Sequence, residues 1–229
     1  MITDIIIPVY NQTRLTINCL KSIRRFTEDY RLIVIDNGSD ELALDVVQAE
    51  LKFHSHTLIR NNKNLGFVKA INQGLSWSSA PWVVLLNNDT EVTDNWLLRL
   101  HEPFLANPFI GAVGPLTTSP NCWQGKAKAD VGFKILKSSA MLAFFCVMFK
   151  REVIEKVGLL DEDFGVGLAD DDEYCYRIHK AGFRLALAHN LRIVHHHRST
   201  FNELYTPQEV EDLIQKGLKL FYEKHPEAT

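Results

Sequence analysis

Trp82–Val92 reads WVVLLNNDTEV, and the interpretation of this stretch decides the fold. Five apolar residues, Trp82 to Leu86, run straight into Asn87, Asn88, Asp89, Thr90 and Glu91. A short continuous apolar run with β-branched members has the pattern of a buried strand. Its polar end matters because ligands of open α/β sheets gather outside the carboxyl ends of the strands. Asn87 and Asp89 stand two apart, and a carboxylate such as Asp89 is a hard oxygen ligand suited to Mg²⁺ or Mn²⁺. Taken alone, the same residues read more readily as a turn leading into the next helix. The rest of the chain decides between the two.

Upstream, strands alternate with helices. Ile5–Tyr10 is a first strand, with Pro8 near its end because proline cannot donate to a ladder. Asn11-Gln12-Thr13 opens a helix with Leu15, Cys19, Leu20, Ile23 and Phe26 on one face. Leu32–Ile35 and Thr57–Ile59 are further strands, Leu42–Phe53 and Phe67–Trp77 further helices. Such alternation predicts a mostly parallel sheet with helices on both faces. Three polar loops, Asp36-Asn37-Gly38, Asn64-Leu65-Gly66 and Asn87-Asn88-Asp89, then fall on one sheet edge, which gathers Asp36, Asn64 and Asp89 into one crevice.

Downstream the pattern loosens. Trp96–Ala106 reads as a helix and Ile110–Pro115 as a strand. Thr117–Lys137 reads as a long loop holding at most one strand. Leu142–Phe149 is strand-like, and Arg151–Val157 is a short helix. Asp170–Ala181 is a helix stopped by Gly182, and Leu185–Ala188 and Leu191–His195 read as two short strands. Thr206-Pro207-Gln208-Glu209 is a capping box that opens a last helix, reaching about Tyr222. With no linker or repeat, the expectation is a single domain in two halves, residues 1–115 for a ligand-binding half and 116–229 for an acceptor-binding and catalytic half that ends in the last helix.

Two further clusters carry chemistry. Asp170-Asp171-Asp172-Glu173 places four carboxylates in a first helical turn. One or two would complement the helix dipole, but four repel one another and call for a metal, a cationic neighbour or raised pKa values. Glu173 and Arg177, four apart, are set to pair. Successive helical residues point about 100° apart, so Asp170, in register with Tyr174 and Ile178, faces inward. Asp171 stays near the cleft edge and Asp172 lies further round. In His195-His196-His197, the strand period puts His195 and His197 on one face, where a metal could bind.

Composition narrows the classes. A net charge of −3 and a hydrophobic content of 46% describe an ordinary globular chain without the basic field that nucleic acid demands. Cys19, Cys122, Cys146 and Cys175 form no CxxC pair, and three of them sit in apolar or helical surroundings, as free thiols of a reducing compartment do. The start of the chain carries no signal-peptide pattern, and the apolar run Met141–Phe149 is too short to span a bilayer. The expected location is cytoplasmic, with a peripheral contact to the inner membrane face left open. No GxGxxG, GxxxxGK[ST] or GxSxG is present, which disfavours nicotinamide dehydrogenases, P-loop NTPases and α/β-hydrolases.

Taken in order, Ile6-Ile7-Pro8-Val9-Tyr10-Asn11, Val34 to Asp40, Asn64-Leu65-Gly66-Phe67 with Ala70-Ile71-Asn72, and Leu86 to Asp89 resemble the GT-A fold, family 2 glycosyltransferases, in their rhamnosyltransferase-like branch. Phe149-Lys150-Arg151-Glu152-Val153 with Gly158 to Glu162, and Asp170 to Glu173 with Arg177, extend the likeness over roughly residues 2–200. The resemblance implies a Rossmann-like GT-A domain and an inverting transfer from a nucleotide-diphosphate sugar, UDP- or dTDP-linked, to a glycan or lipid-linked hydroxyl. The implied setting is cell-surface polysaccharide synthesis, with Mn²⁺ or Mg²⁺. Pro8, Tyr10, Asn11, Asp36, Asn64, Gly66, Asn72, Asn87 and Asn88 are implied to bind the nucleotide sugar. Asp89 is implied as metal ligand, His195 as its completion with His197 as fallback, and Asp171 as general base beside Asp170. Two departures stand out: Asn87 where many members carry Asp, and Asp170 where Glu is usual. The rival readings are a sugar nucleotidyltransferase and an inactive nucleotide-sugar-binding module.

Overall fold

The computed structural model describes residues 2–196 and 203–228, so His197 lies outside the described residues. The apolar run becomes a strand, β4 (Trp82–Leu86), within a nine-stranded sheet. Before it come β1 (Thr3–Val9), α1 (Thr13–Phe26), β2 (Tyr30–Asp36), α2 (Glu41–Leu51), β3 (His56–Arg60) and α3 (Phe67–Trp77). After it come β5 (Thr90–Glu91), α4 (Trp96–Ala106), β6 (Ile110–Thr117), α5 (Trp123–Lys126), β7 (Phe133–Ile135), β8 (Cys146–Lys150), α6 (Arg151–Val157), α7 (Asp170–Lys180), β9 (Arg184–His195) and α8 (Pro207–Lys224). The spatial order is β3-β2-β1-β4-β8-β6-β9-β5, with β7 against β9. β3, β2, β1, β4, β6 and β9 run one way, while β8, β7 and β5 run against them. One mostly parallel sheet therefore crosses from residue 3 to residue 195.

Strand alternation divides the core in two. Ile5 and Ile7 of β1 pack with α1, α2 and α4 on one face, and Ile6 packs with α3, α6, α7 and α8 on the other. Burial on both faces explains why the central strands read as unbroken apolar runs. Pro8 is still paired with Ile35 of β2, but the β4 ladder stops at Ile6–Leu85, so the missing N–H costs no bond there.

Three downstream expectations change. Leu185–Ala188 and Leu191–His195 form one strand, β9, with an irregularity facing Pro115 and Leu116 of β6. The polar His189-Asn190 at that irregularity gave the sequence the look of a break. Of Leu142–Phe149, only the part from Cys146 on joins the ladder. The segment before it satisfies its backbone otherwise: Leu142 N–H meets Cys175 Sγ at 3.3 Å and Ala143 N–H donates to Gln124 Oε1 at 2.7 Å. The loop of residues 117–137 holds a helical turn, α5, as well as the strand β7.

Candidate active site

The 87–92 segment is clamped from behind by α1. Asn88 Nδ2 donates to Thr16 Oγ1 at 2.9 Å, Val92 N–H to Ser22 Oγ at 3.0 Å, and Thr90 Oγ1 to Asn87 O at 2.7 Å. The small polar residues Thr16, Cys19 and Ser22 on an otherwise apolar helix face thus receive the turn. From the other side, Asn87 N–H donates to Phe145 O at 2.8 Å and His196 N–H to Asp89 O at 3.0 Å. The short strand β5 pairs Thr90 with His195.

That pairing brings the two expected metal ligands together. His195 Nε2 lies 3.3 Å from Asp89 Oδ1, and both residues are over nine-tenths buried. The imidazole stacks on Phe145 at 4.8 Å between ring centroids and 14° between planes, and His195 N–H donates to Thr118 Oγ1 at 3.2 Å. His196 points away, as alternation requires, and meets Glu91 at 3.2 Å.

Asp89 and His195 line a cavity of about 790 Å³ at the carboxyl ends of the strands. Pro8, Tyr10, Asn64, Gly66, Asn87 and Asn88 line it too, as does the whole run Gly165–Asp172. That run opens α7 through strained backbone: Leu168 and Ala169 hold φ of 75° and 74° beside Gly165 at 56° and Gly167 at 102°. Left-handed Leu and Ala are costly and cluster at functional sites. Gly66, at φ 89°, passes so close to this loop that a Cβ would sit 2.7 Å from Gly165 O.

Asp170, Asp171 and Asp172 all reach the cavity, so Asp172 is not turned away as helix geometry suggested. Asp170 is buried, and its Oδ2 has no hydrogen-bond partner among the described residues. Burial, then the Asp171 charge, pushes its pKa well above the carboxylate range. Burial raises Asp171 to about 6 against the backbone N–H groups of Asp172 and Phe144, and burial with the Asp171 charge raises Asp172 to about 7. Glu173 is set apart from this trio. It pairs with Arg177 at 2.7 Å as expected and also meets His225 Nε2 at 3.2 Å, while Arg177 donates to Val157 O and Leu159 O.

Three residues expected at the nucleotide lie outside the cavity lining. Asp36 Oδ1 accepts from Ser39 N–H at 3.1 Å and Oδ2 faces Arg60 Nε at 3.5 Å, so the carboxylate closes its own turn. Asn11 takes Ser39 Oγ with its N–H and Asp40 N–H with its side chain, tying two loops together. Asn72 is buried and spans to Leu160 through both amide atoms, holding the loop before Gly165. In their place stands Asn37, missed by sequence reasoning. It lines the cavity and knits its own loop to the 61–66 loop, donating to Asn64 Oδ1 at 2.9 Å and accepting from Asn61 Nδ2 and Leu65 N–H, both at 3.0 Å. Gly38 next to it was the available signal: a side chain at 38 would collide with Lys63, so the two loops touch. Tyr205 and Ile214, in and before α8, close the cavity from the C-terminal side and carried no motif.

The cavity holds four carboxylates, Asp89 and Asp170–Asp172, and no Lys or Arg among its described lining residues. A divalent cation fits this donor set, with one buried carboxylate and one imidazole presented together. Among the described residues no group of three His, Cys, Asp or Glu converges on one ion position.

Comparison with known proteins is consistent with this geometry. The glycosyl transferase family 2 model matches residues 4–158. The poly-beta-1,6-N-acetyl-D-glucosamine synthase of Staphylococcus epidermidis is 23% identical over 183 residues, 74% of this chain and 44% of that protein. The synthase of Staphylococcus aureus strain COL is 23% identical over 189 residues, 77% and 45% of the two. The chain thus spans less than half the length of these curated relatives. Among solved structures, S. aureus TarS 1–349 in complex with UDP-GlcNAc superposes with a TM-score of 0.71 at 13% identity, covering 96% of this chain and 65% of that one. The mannosyltransferase PcManGT from Pyrobaculum calidifontis, in complex with GDP-Man and Mn²⁺, gives 0.68 at 20% identity, covering 84% and 56%. At these identities the structural likeness is one of fold.

Proposed function

The chain belongs to glycosyl transferase family 2, and from that premise we propose that it is an inverting glycosyltransferase. It moves a sugar from a nucleotide-diphosphate donor, UDP- or dTDP-linked, to a hydroxyl of a glycan or lipid-linked acceptor in cell-surface polysaccharide synthesis. The single observation that carries the reading is that the Asp89–His195 pair and the Asp170–Asp172 trio line one and the same cavity. A displacement at an anomeric carbon needs just these two things: charge compensation at the leaving diphosphate and a base at the attacking hydroxyl.

Asp89 and His195 would hold Mn²⁺ or Mg²⁺, which when bound offsets the negative charge of the diphosphate. The absence of Lys and Arg from the described lining favours this over protein cations, and disfavours a nucleotidyltransferase, whose triphosphate carries more charge. Pro8, Tyr10, Asn64 and Gly66 flank the nucleoside, with Asn37 holding their loops. Asn87 and Asn88 orient the ribose and phosphates without adding charge.

Asp171 is the base. Its pKa of about 6 leaves it ionised at neutral pH, while burial and the neighbouring Asp171 charge hold Asp170 well above the ordinary carboxylate range. Asp171 takes the proton of the acceptor hydroxyl as its oxygen attacks the anomeric carbon from the face opposite the nucleoside diphosphate. The bond to the diphosphate breaks in the same step, and the anomeric configuration inverts. Release of nucleoside diphosphate from a panel of nucleotide sugars, with Mn²⁺ and an oligosaccharide or lipid-linked sugar present, tests the proposal. Acceptor-dependent release is expected, and its absence with every donor would sink the enzymatic reading in favour of a binding module.

A further inference from the structure

Between the cavity and the free edge of β7, the chain lays out WQGKAKADVGFKILK, residues 123–137. Lys126, Lys128, Lys134 and Lys137 give it four positive charges against Asp130 alone, in a chain whose net charge is −3. All four lysines are exposed, and none pairs with an acidic side chain among the described residues. Interleaved with them, Trp123 is 40% exposed, Val131 89% and Ile135 39%.

The backbone of this strip is fixed and Gln124, Ala127, Phe133 and Leu136 turn inward, while the four lysines, Trp123, Val131 and Ile135 stay exposed. β7 pairs with β9, Asp130 N–H donates to His189 O at 3.2 Å, Asn190 N–H to Gly132 O at 3.2 Å, and His189 Nδ1 meets Lys128 O at 2.9 Å. Lysine on an outer strand is a common guard against edge-to-edge pairing. That role accounts for Lys134 and Lys137. It does not account for Lys126 and Lys128, which precede the strand, or for Trp123 and Val131 left in water.

We propose that this strip docks the protein onto an anionic lipid bilayer. Lysines near such a surface each contribute electrostatic attraction, and apolar side chains among them enter the headgroup boundary. The aliphatic residues choose this occupant over an acidic polysaccharide. Val131 and Ile135 gain by transfer into lipid but find no stacking or hydrogen-bonding partner on a hydroxylated polymer. No described helix is long and apolar enough to cross a membrane. Cys122, one residue before the strip, lines the cavity, so docking brings the cavity wall near the lipid surface. This extends the transferase reading toward a lipid-linked acceptor and rests on it for that point alone; the docking itself does not.

Co-sedimentation of the full chain with vesicles of phosphatidylcholine, with and without about 30% phosphatidylglycerol, separates the two claims from any assay of transfer. Binding only to the anionic vesicles, weakened by salt, is expected. Replacing all four lysines by Gln should lower the partition coefficient by about 10²–10³, since each lysine near the surface contributes about fivefold. Val131→Ser, at an open position, should lower it severalfold with an unchanged Tm. Equal sedimentation with both vesicle types, or full binding by the four-lysine variant, overturns the proposal. Capture of polygalacturonate without vesicle binding overturns it as well and assigns the strip to an acidic glycan. Vesicle binding with no transfer to any acceptor would uphold the docking and count against the transferase reading.

Discussion

Asp171 carries the heaviest chemical load of any single residue in this account. Removing a general base costs about 10²–10⁴ in rate, so Asp171→Asn should lower kcat by that order while the donor Kd measured by calorimetry stays near wild type. Its pKa of about 6 also sets a pH limb: the base gains its proton as pH falls, so kcat/KM should decline below about pH 6. A near-normal kcat in Asp171→Asn would move the base to Asp170 or Asp172. Asp36 teaches the opposite lesson. Its place at a strand end marked it as a ligand contact, yet the carboxylate satisfies Ser39 N–H and faces Arg60. Asp36→Ala should therefore cost about 1–3 kcal/mol of stability in urea unfolding. Unaltered stability with weakened donor binding would restore the original expectation. The sequence shows that an Asp ends a strand, but not whether its carboxylate turns to the ligand or back to its own loop. Asn11 and Asn72 likewise have side chains bonded to neighbouring loops, a choice that the sequence does not show.

At the scale of elements, α7 and the loop before it store the tension of the site. Asp170, Asp171 and Asp172 all titrate above the ordinary 3.8. The folded chain therefore holds more protons than the unfolded chain between about pH 4 and the raised values, and stability falls as pH rises through that window. Asp170→Asn removes one of the crowded carboxylates, so its Tm should exceed wild type at pH 8, with the gain shrinking toward pH 4. A lower Tm at both pH values would mean that the trio is not repulsive. Gly66→Ala tests the opposing wall. With φ at 89° and Gly165 O 2.7 Å from the new methyl, about 1–3 kcal/mol of stability should be lost and the cavity distorted. A Tm equal to wild type would show that the 165–169 loop yields freely. Element existence was legible wherever periodicity was unbroken, as in α1, α3 and α7. It failed where side chains do the work of backbone. Leu142–Phe145 looks like strand but bonds to Gln124 and Cys175, and His189-Asn190 looks like a break inside the single strand β9.

For the whole molecule, the alternation of apolar runs and helices sufficed to foresee a mostly parallel sheet with its polar loops on one edge. What it could not foresee is how the second half returns: β8 and β6 extend the sheet beyond β4, and β9 then lays His195 against Asp89, 106 positions later in the chain. Long-range pairing of that kind leaves no local periodic trace. It is also what sets an imidazole beside a buried carboxylate in the cavity and leads to the central claim, that a divalent cation at Asp89 and His195 holds the donor diphosphate. Calorimetric titration of UDP, GDP and dTDP into the protein, first with Mn²⁺ and then with EDTA, tests that claim most directly. At least one of the three should bind with Mn²⁺, and its binding should be lost in EDTA and in Asp89→Asn. Binding of equal strength in EDTA, or in Asp89→Asn, would contradict it.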